Sequence, residues 1–179
     1  MDEADKRKVG EQLEPGGRPK APGRLELVQR FVNTHNHEFP LDWDRIGTAT
    51  KARAWLKAKG LPHAVDEQEV AQLREFREVL RAHMVGKPAP ALEAELTVRL
   101  DEDGRTRLET ASAGADGVIA TLLGIVHEAQ LSGDWARMKG CRQCEYAFYD
   151  RSKNRSATWC AMSICGNRTK NRRYREKRQ

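Results

Sequence analysis

Four cysteines carry the most definite chemistry of this chain. They are Cys141, Cys144, Cys160 and Cys165, and the 179 residues contain no others. The spacing is C-x2-C, fifteen residues, then C-x4-C. A C-x2-C pair makes a tight knuckle that aims two sulfurs at one point, and tetrahedral zinc takes two such pairs from opposite lips of a fold. A unit of about forty residues has too small a core to fold unaided, so a bound metal supplies much of its folding free energy. Four protein ligands leave no open position for water, so the spacing predicts one structural Zn2+ rather than a catalytic one. The plainer alternative is four unrelated buried or redox thiols, but no cysteine is left over and both pairs are close. Paired disulfides would need an oxidising compartment. The N-terminus is charged and Pro/Gly-rich, without the apolar run of a secretory signal, so a reducing, cytoplasmic setting is expected.

Charge is concentrated in the same region. The net charge is +6. Residues 137–179 hold 13 Lys and Arg against 3 Asp and Glu, a balance of +10, whereas residues 1–136 hold 19 against 23, a balance of −4. An anionic partner for the C-terminal unit follows, nucleic acid first. The stretch after Cys165 reads GNRTKNRRYREKRQ. As a helix it carries positive charge all round its cylinder, with Tyr174 interleaved. The candidate nucleic-acid contacts are Asn167, Arg168, Lys170, Asn171, Arg172, Arg173, Arg175, Lys177 and Arg178. Cations on phosphates give salt-dependent affinity with little sequence information, and base reading would need Asn167, Asn171 or Arg172 to reach a groove edge. The plainer reading is a solvated basic tail.

Something must hold these residues in place. Leu25, Leu27, Val28, Phe31 and Val32 recur at helical spacing. Trp55 and Leu56 point inward from a second helix, which Gly60 and Pro62 should end. Asp66 and Glu69 make a capping-box pattern ahead of the stripe Val70, Leu73, Phe76, Leu80 and Met84. Residues 86–96 read as a breaker region with room for one short helical turn. Two alternating runs flank Asp103–Gly104, the sign of a β-hairpin. Val118, Leu122, Ile125 and Ala129 line a further helix. The fold class expected is α+β: a mostly helical domain with a small β-hairpin over 24–136, then a four-cysteine zinc finger over 137–179 made of knuckle, hairpin and basic helix. YAFYD, at 146–150, is expected as one strand of a hairpin that returns the chain to the second cysteine pair. Residues 1–23 are expected to be flexible unless they dock.

The C-terminal residues also resemble a known family. A C-x2-C pair, the aromatic-Asp-x-Ser segment Tyr149–Ser152, then Trp159-Cys160-Ala161-Met162, then Cys165-Gly166-Asn167-Arg168 with Lys170 and a basic run, together resemble the CGNR zinc finger. The part before it, with FVNT followed by helices and a hairpin, is similar to the ABATE domain, a family described as candidate stress-induced transcription regulators. The resemblance implies the four cysteines as zinc ligands and Asn167, Arg168 and Lys170 in a signature helix. It implies conformational or packing roles for Asp150, Ser152 and Trp159. Two features depart from it. Glu145 stands where Gly is usual, and Ala157 and Thr158 stand where basic residues are common, which should weaken phosphate contact from the hairpin tip.

Other clusters carry less. His35, His37, Asp42 and Asp44 in THNHEFPLDWD could bind a metal but read more readily as a solvated loop. His83 and His127 read as surface or partly buried histidines rather than catalysts. No stretch is long and apolar enough for a membrane span, and no Gly-rich phosphate loop, nucleophile elbow or HExxH motif occurs. The chain therefore reads as a non-enzymatic transcription regulator, in which the finger holds nucleic acid, duplex DNA first, and the helical domain senses a signal or forms a homodimer. The alternative is a zinc-finger interaction module that docks on an acidic protein partner.

Overall fold

The fold was obtained as a computed structural model, which describes residues 13–14, 17–36 and 43–176. The chain begins with the short pair β1 (Leu13–Glu14) and β2 (Arg18–Pro19). Helix α1 (Leu25–Val32) follows, then β3 (His35–Asn36) paired with β4 (Trp43–Asp44). Helices α2 (Ala49–Ala58) and α3 (Glu67–Val85) precede the hairpin β5 (Thr97–Leu100) and β6 (Thr106–Glu109). Helix α4 (Gly114–Leu131) and a short 3-10 turn lead into β7 (Met138–Gly140), paired with β8 (Ala147–Tyr149). A π-type turn, Met162–Gly166, leads into α5 (Asn167–Glu176). Among the described residues the four two-stranded sheets are antiparallel. No described helix is long and apolar enough to cross a membrane.

The α+β expectation holds, and its local signals act as read. Asp66 caps α3 by accepting from the Glu69 amide at 2.8 Å, while Glu69 accepts from the Asp66 amide at 2.9 Å. The other Glu69 oxygen accepts from the Ala115 amide, so the same cap ties α3 to the start of α4. Gly60 ends α2 at φ +67°, a left-handed conformation that disfavours other residues. The stripe of α3 is buried along its length, and it packs with Phe31, whose ring lies 5.6 Å from Phe76 and 6.0 Å from Trp55. Residues 86–96 contain no helical turn.

Two polar groups inside this core had no apolar pattern to announce them. Arg77 is only 1% exposed, and its two terminal nitrogens donate to both Asp44 oxygens at 2.8 Å. Arg81 donates to the backbone carbonyls of Val32, His35 and Glu145. These bonds fix the strands β3 and β4 against α3. Asp44 is thus an ion-pair partner rather than a loop carboxylate, and Arg77 holds its carboxyl below the ordinary range despite burial. His35 lies 3.5 Å from Glu78, whereas His37 and Asp42 fall outside the described residues.

The finger is joined to the helical body rather than strung beyond it. Along β8, Ala147 and Tyr149 enter the helical core, while Phe148 faces the cysteines. The period of two in a strand thereby makes one segment a wall of two cores. The Asn33 side chain accepts from the Ala147 amide at 2.8 Å and donates to the Ala147 carbonyl at 2.8 Å, and Gln29 donates to that carbonyl as well. At Gly140 a Cβ would lie 2.1 Å from Val85 Cγ1, so β7 approaches the end of α3 more closely than any side chain allows. The expected flexibility of residues 1–12 and 15–16 lies outside the described residues, whereas β2 docks against β8 and Ala21 is buried.

Candidate metal centre

The knuckle sits at the turn of the β7–β8 hairpin. The Cys141 amide donates to the Tyr146 carbonyl at 3.0 Å, and the Glu145 amide donates back to the Cys141 carbonyl at 2.8 Å. YAFYD is therefore a strand, as expected, but it pairs with the residues before the knuckle and not with a strand returning to the second cysteine pair. The tight knuckle brings β7 and β8 into register, while residues 150–158 form a loop whose backbone is organised by side chains. Closing this turn puts Glu145 at φ +56°. That conformation strains a residue bearing a Cβ, and it accounts for the glycine that the family resemblance leads one to expect there. The carbonyl of Glu145 accepts from Arg81 and its carboxylate pairs with Lys87, so the strain is offset from α3 and the segment just after it.

The second pair arrives from the loop. The buried Asp150 carboxylate accepts from the amides of Ser152 and Ala157 at 2.9 and 3.0 Å and from Lys139 Nζ at 2.6 Å. Burial opposes its charge, but Lys139 and Ser152 outweigh burial and hold the carboxyl down at about 2. Ser152 Oγ accepts from the Ser156 amide, and Trp159 packs beside the cysteines. Asp150, Ser152 and Trp159 thus take the shaping and packing places that the resemblance implied. Thr158 accepts from the Arg142 amide, which closes the loop onto the knuckle. The π-type turn then brings Cys165 back beside Cys160.

The four sulfurs converge. All lie within 4.8 Å of one another and all four residues are buried. Cys144 is 3.8 Å from Cys160, Cys160 is 3.7 Å from Cys165, and Cys165 is 3.5 Å from Cys144. No pair is joined as a disulfide. A tetrahedron with metal–sulfur bonds of about 2.3 Å has sulfur–sulfur edges of about 3.8 Å, so the spacing suits one zinc ion. The electrostatics agree. Hydrogen bonds from Cys144 and Cys160 pull the Cys141 thiol far below its ordinary value, while donation to Cys141 and Cys160 pushes Cys144 far above its own. Burial, with Cys160 beside it, drives Cys165 up to about 12. Without a cation the sulfurs compete to carry negative charge in a buried space, and a divalent soft metal removes that conflict. Among the described residues these four are the only group of three or more His, Cys, Asp or Glu placed to hold a metal.

The basic helix is anchored to this centre. Thr169 is buried and donates to the Cys165 carbonyl at 3.0 Å, and its Oγ1 lies 3.4 Å from Gln143 Oε1 of the knuckle. Asn167, Arg168, Lys170, Asn171 and Arg175 are exposed on α5. Arg172 and Arg173 lie within the helix, and Lys177 and Arg178 lie outside the described residues. Sequence reasoning passed over further exposed cations, Arg142 on the knuckle and Lys153 and Arg155 on the organised loop. Their density between Cys141 and Cys160 was the available signal.

Comparison with known proteins adds two matches. The CGNR zinc finger family matches residues 137–178. The ABATE family, described as "Putative stress-induced transcription regulator", matches residues 25–129. A sequence search finds no match among curated proteins. A cysteine centre of zinc dimensions thus lies inside the finger match, and the helical body lies inside a match that spans more than half of the chain. The chain therefore belongs to the ABATE family and carries a C-terminal CGNR zinc finger, whose four cysteines suit one structural Zn2+.

Proposed function

We propose that this chain is a transcription regulator whose zinc-held finger grips duplex DNA through α5 and its flanking cations. One observation carries the reading. Of the finger's three carboxylates, Asp150 and Glu145 pair with Lys139 and Lys87 and Glu176 lies at the end of α5, so the exposed cations of α5, the knuckle and the loop outnumber the acidic groups around them. Such a surface attracts a polyanion at long range and binds it with a steep salt dependence. Zinc in this reading does no chemistry. It fixes the start of the helix, and the cysteines take every coordination position. The helical body, over 24–136, is assigned sensing or the pairing of two copies, and the finger over 137–179 is assigned binding. The protein is read as non-catalytic and as working in the reducing cytoplasm, where four thiolates stay available for metal. Met162 and Tyr174, exposed beside the cations, favour a second reading in which the same face docks on an acidic protein.

Binding of the zinc-loaded chain to random duplex DNA across a salt series tests this. Affinity should fall steeply with salt, and truncation after Asn167 should keep zinc but abolish binding. Absence of binding at low salt, or undiminished binding by the truncated chain, refutes the assignment to α5.

A further inference from the structure

Arg18 lies outside both matched segments, which begin at residues 25 and 137. The residues that follow it are nonetheless pinned to them. Gln29 accepts from the Ala21 amide at 2.6 Å and donates to the Pro19 carbonyl at 2.9 Å, while Arg151 donates to the Lys20 carbonyl at 2.9 Å. Gln29 also reaches the Ala147 carbonyl, so one buried amide clamps the strap β2 and the finger strand β8 together. The strap delivers the Arg18 guanidinium to 4.3 Å from the centroid of the Tyr146 ring, between the knuckle and β8. Tyr146 in turn packs against the cysteine cluster, so the guanidinium lies beside the centre, near enough for Cys160 and Cys144 to act on it.

A zinc ion bound by four thiolates carries a net charge of minus two, which a buried site stabilises poorly without a neighbouring cation. We infer that Arg18 is the outer-sphere cation of the zinc centre: held over Tyr146, it donates to Cys160 Sγ, offsets part of the tetrathiolate charge and slows loss of the metal. Hydrogen bonding withdraws electron density from the sulfur, which makes that thiolate less prone to capture a proton or meet an oxidant. The strap before the helical body thereby completes a centre whose four ligands all lie near the other end of the chain.

The test uses the full chain loaded with zinc and an excess of a chromogenic chelator. Arg18→Gln should release zinc about tenfold faster, within the range for loss of an outer-sphere partner. Arg18→Lys, which keeps the charge, should recover most of the difference, and the unfolding midpoint of the helical body should stay put. In the cobalt-loaded protein the sulfur-to-metal charge-transfer band of Arg18→Gln should move to longer wavelength, because the thiolate becomes the stronger donor. An unchanged release rate overturns the inference. So does equal acceleration by Gln and Lys alongside a fallen midpoint, which would assign Arg18 to strap packing alone. Neither readout involves nucleic acid.

Discussion

The helical body and the finger solve the same problem by opposite means. The body buries a stripe from each of its helices, and Val28, Phe31, Leu73, Leu122 and Ile125 are almost wholly removed from water. The finger's own core is Phe148 and four cysteines, flanked by the half-buried Tyr146, Ala157, Trp159 and Ile164. Apolar area holds the first together at roughly 25 cal/mol per Å². The second has too little of it and depends on a metal. Removing one side chain should therefore act locally and gradually in the body, and as a switch in the finger.

Cys165→Ser tests the switch and should have the largest effect. Structural zinc in small fingers contributes on the order of 10 kcal/mol, and elemental analysis should show the metal gone. Because β8 is common to both cores, the melting temperature of the body should also fall. An unmoved body transition would mean the two cores are independent. Leu73→Ala tests the gradual side. It should cost about 2–5 kcal/mol in a denaturant titration while zinc content stays whole, and zinc loss there would break the contrast from the other direction.

Asp150→Asn probes the loop between them. The folded carboxyl stays ionised down to about 2. Its stabilisation is fully present above the ordinary carboxylate range and is lost as pH falls through the folded value. The stability gap between wild type and variant should therefore be level from about pH 8 to about pH 5. A gap that narrows within that span would mean Lys139 does not hold the carboxylate. Glu145→Gly should have the smallest effect, a gain of up to about 1 kcal/mol as the left-handed strain is released. A net loss would show that the Lys87 pair matters more than the strain.

The contrast also accounts for what could be read in advance. Asp66 and Glu69, the stripe from Val70 to Met84, and the cysteine spacing are local patterns with one physical outcome each, and all three stand in the fold. Gln29, Asn33, Arg77 and Arg81 are polar residues whose burial depends on partners far along the chain, Ala147 and Glu145 among them. Nothing in a helical period marks them. The same limit applies to YAFYD. Alternation identifies a strand but not its neighbour, and the pairing with β7 was settled by the knuckle closing on itself. Arg18 shows the limit most sharply, because the ring it packs over belongs to Tyr146, more than a hundred residues away.

The shared strand also governs motion. To swivel relative to the body, the finger would have to give up both Asn33 bonds to Ala147, at about 1 kcal/mol each, and lift Gly140 away from Val85. A linker imposes no such toll. The basic helix, fixed to the knuckle through Thr169, consequently keeps one bearing with respect to the rest of the molecule. In any assembly of two copies, the distance and angle between their basic helices would be dictated by how the bodies meet, as the jaws of a caliper are set by its frame.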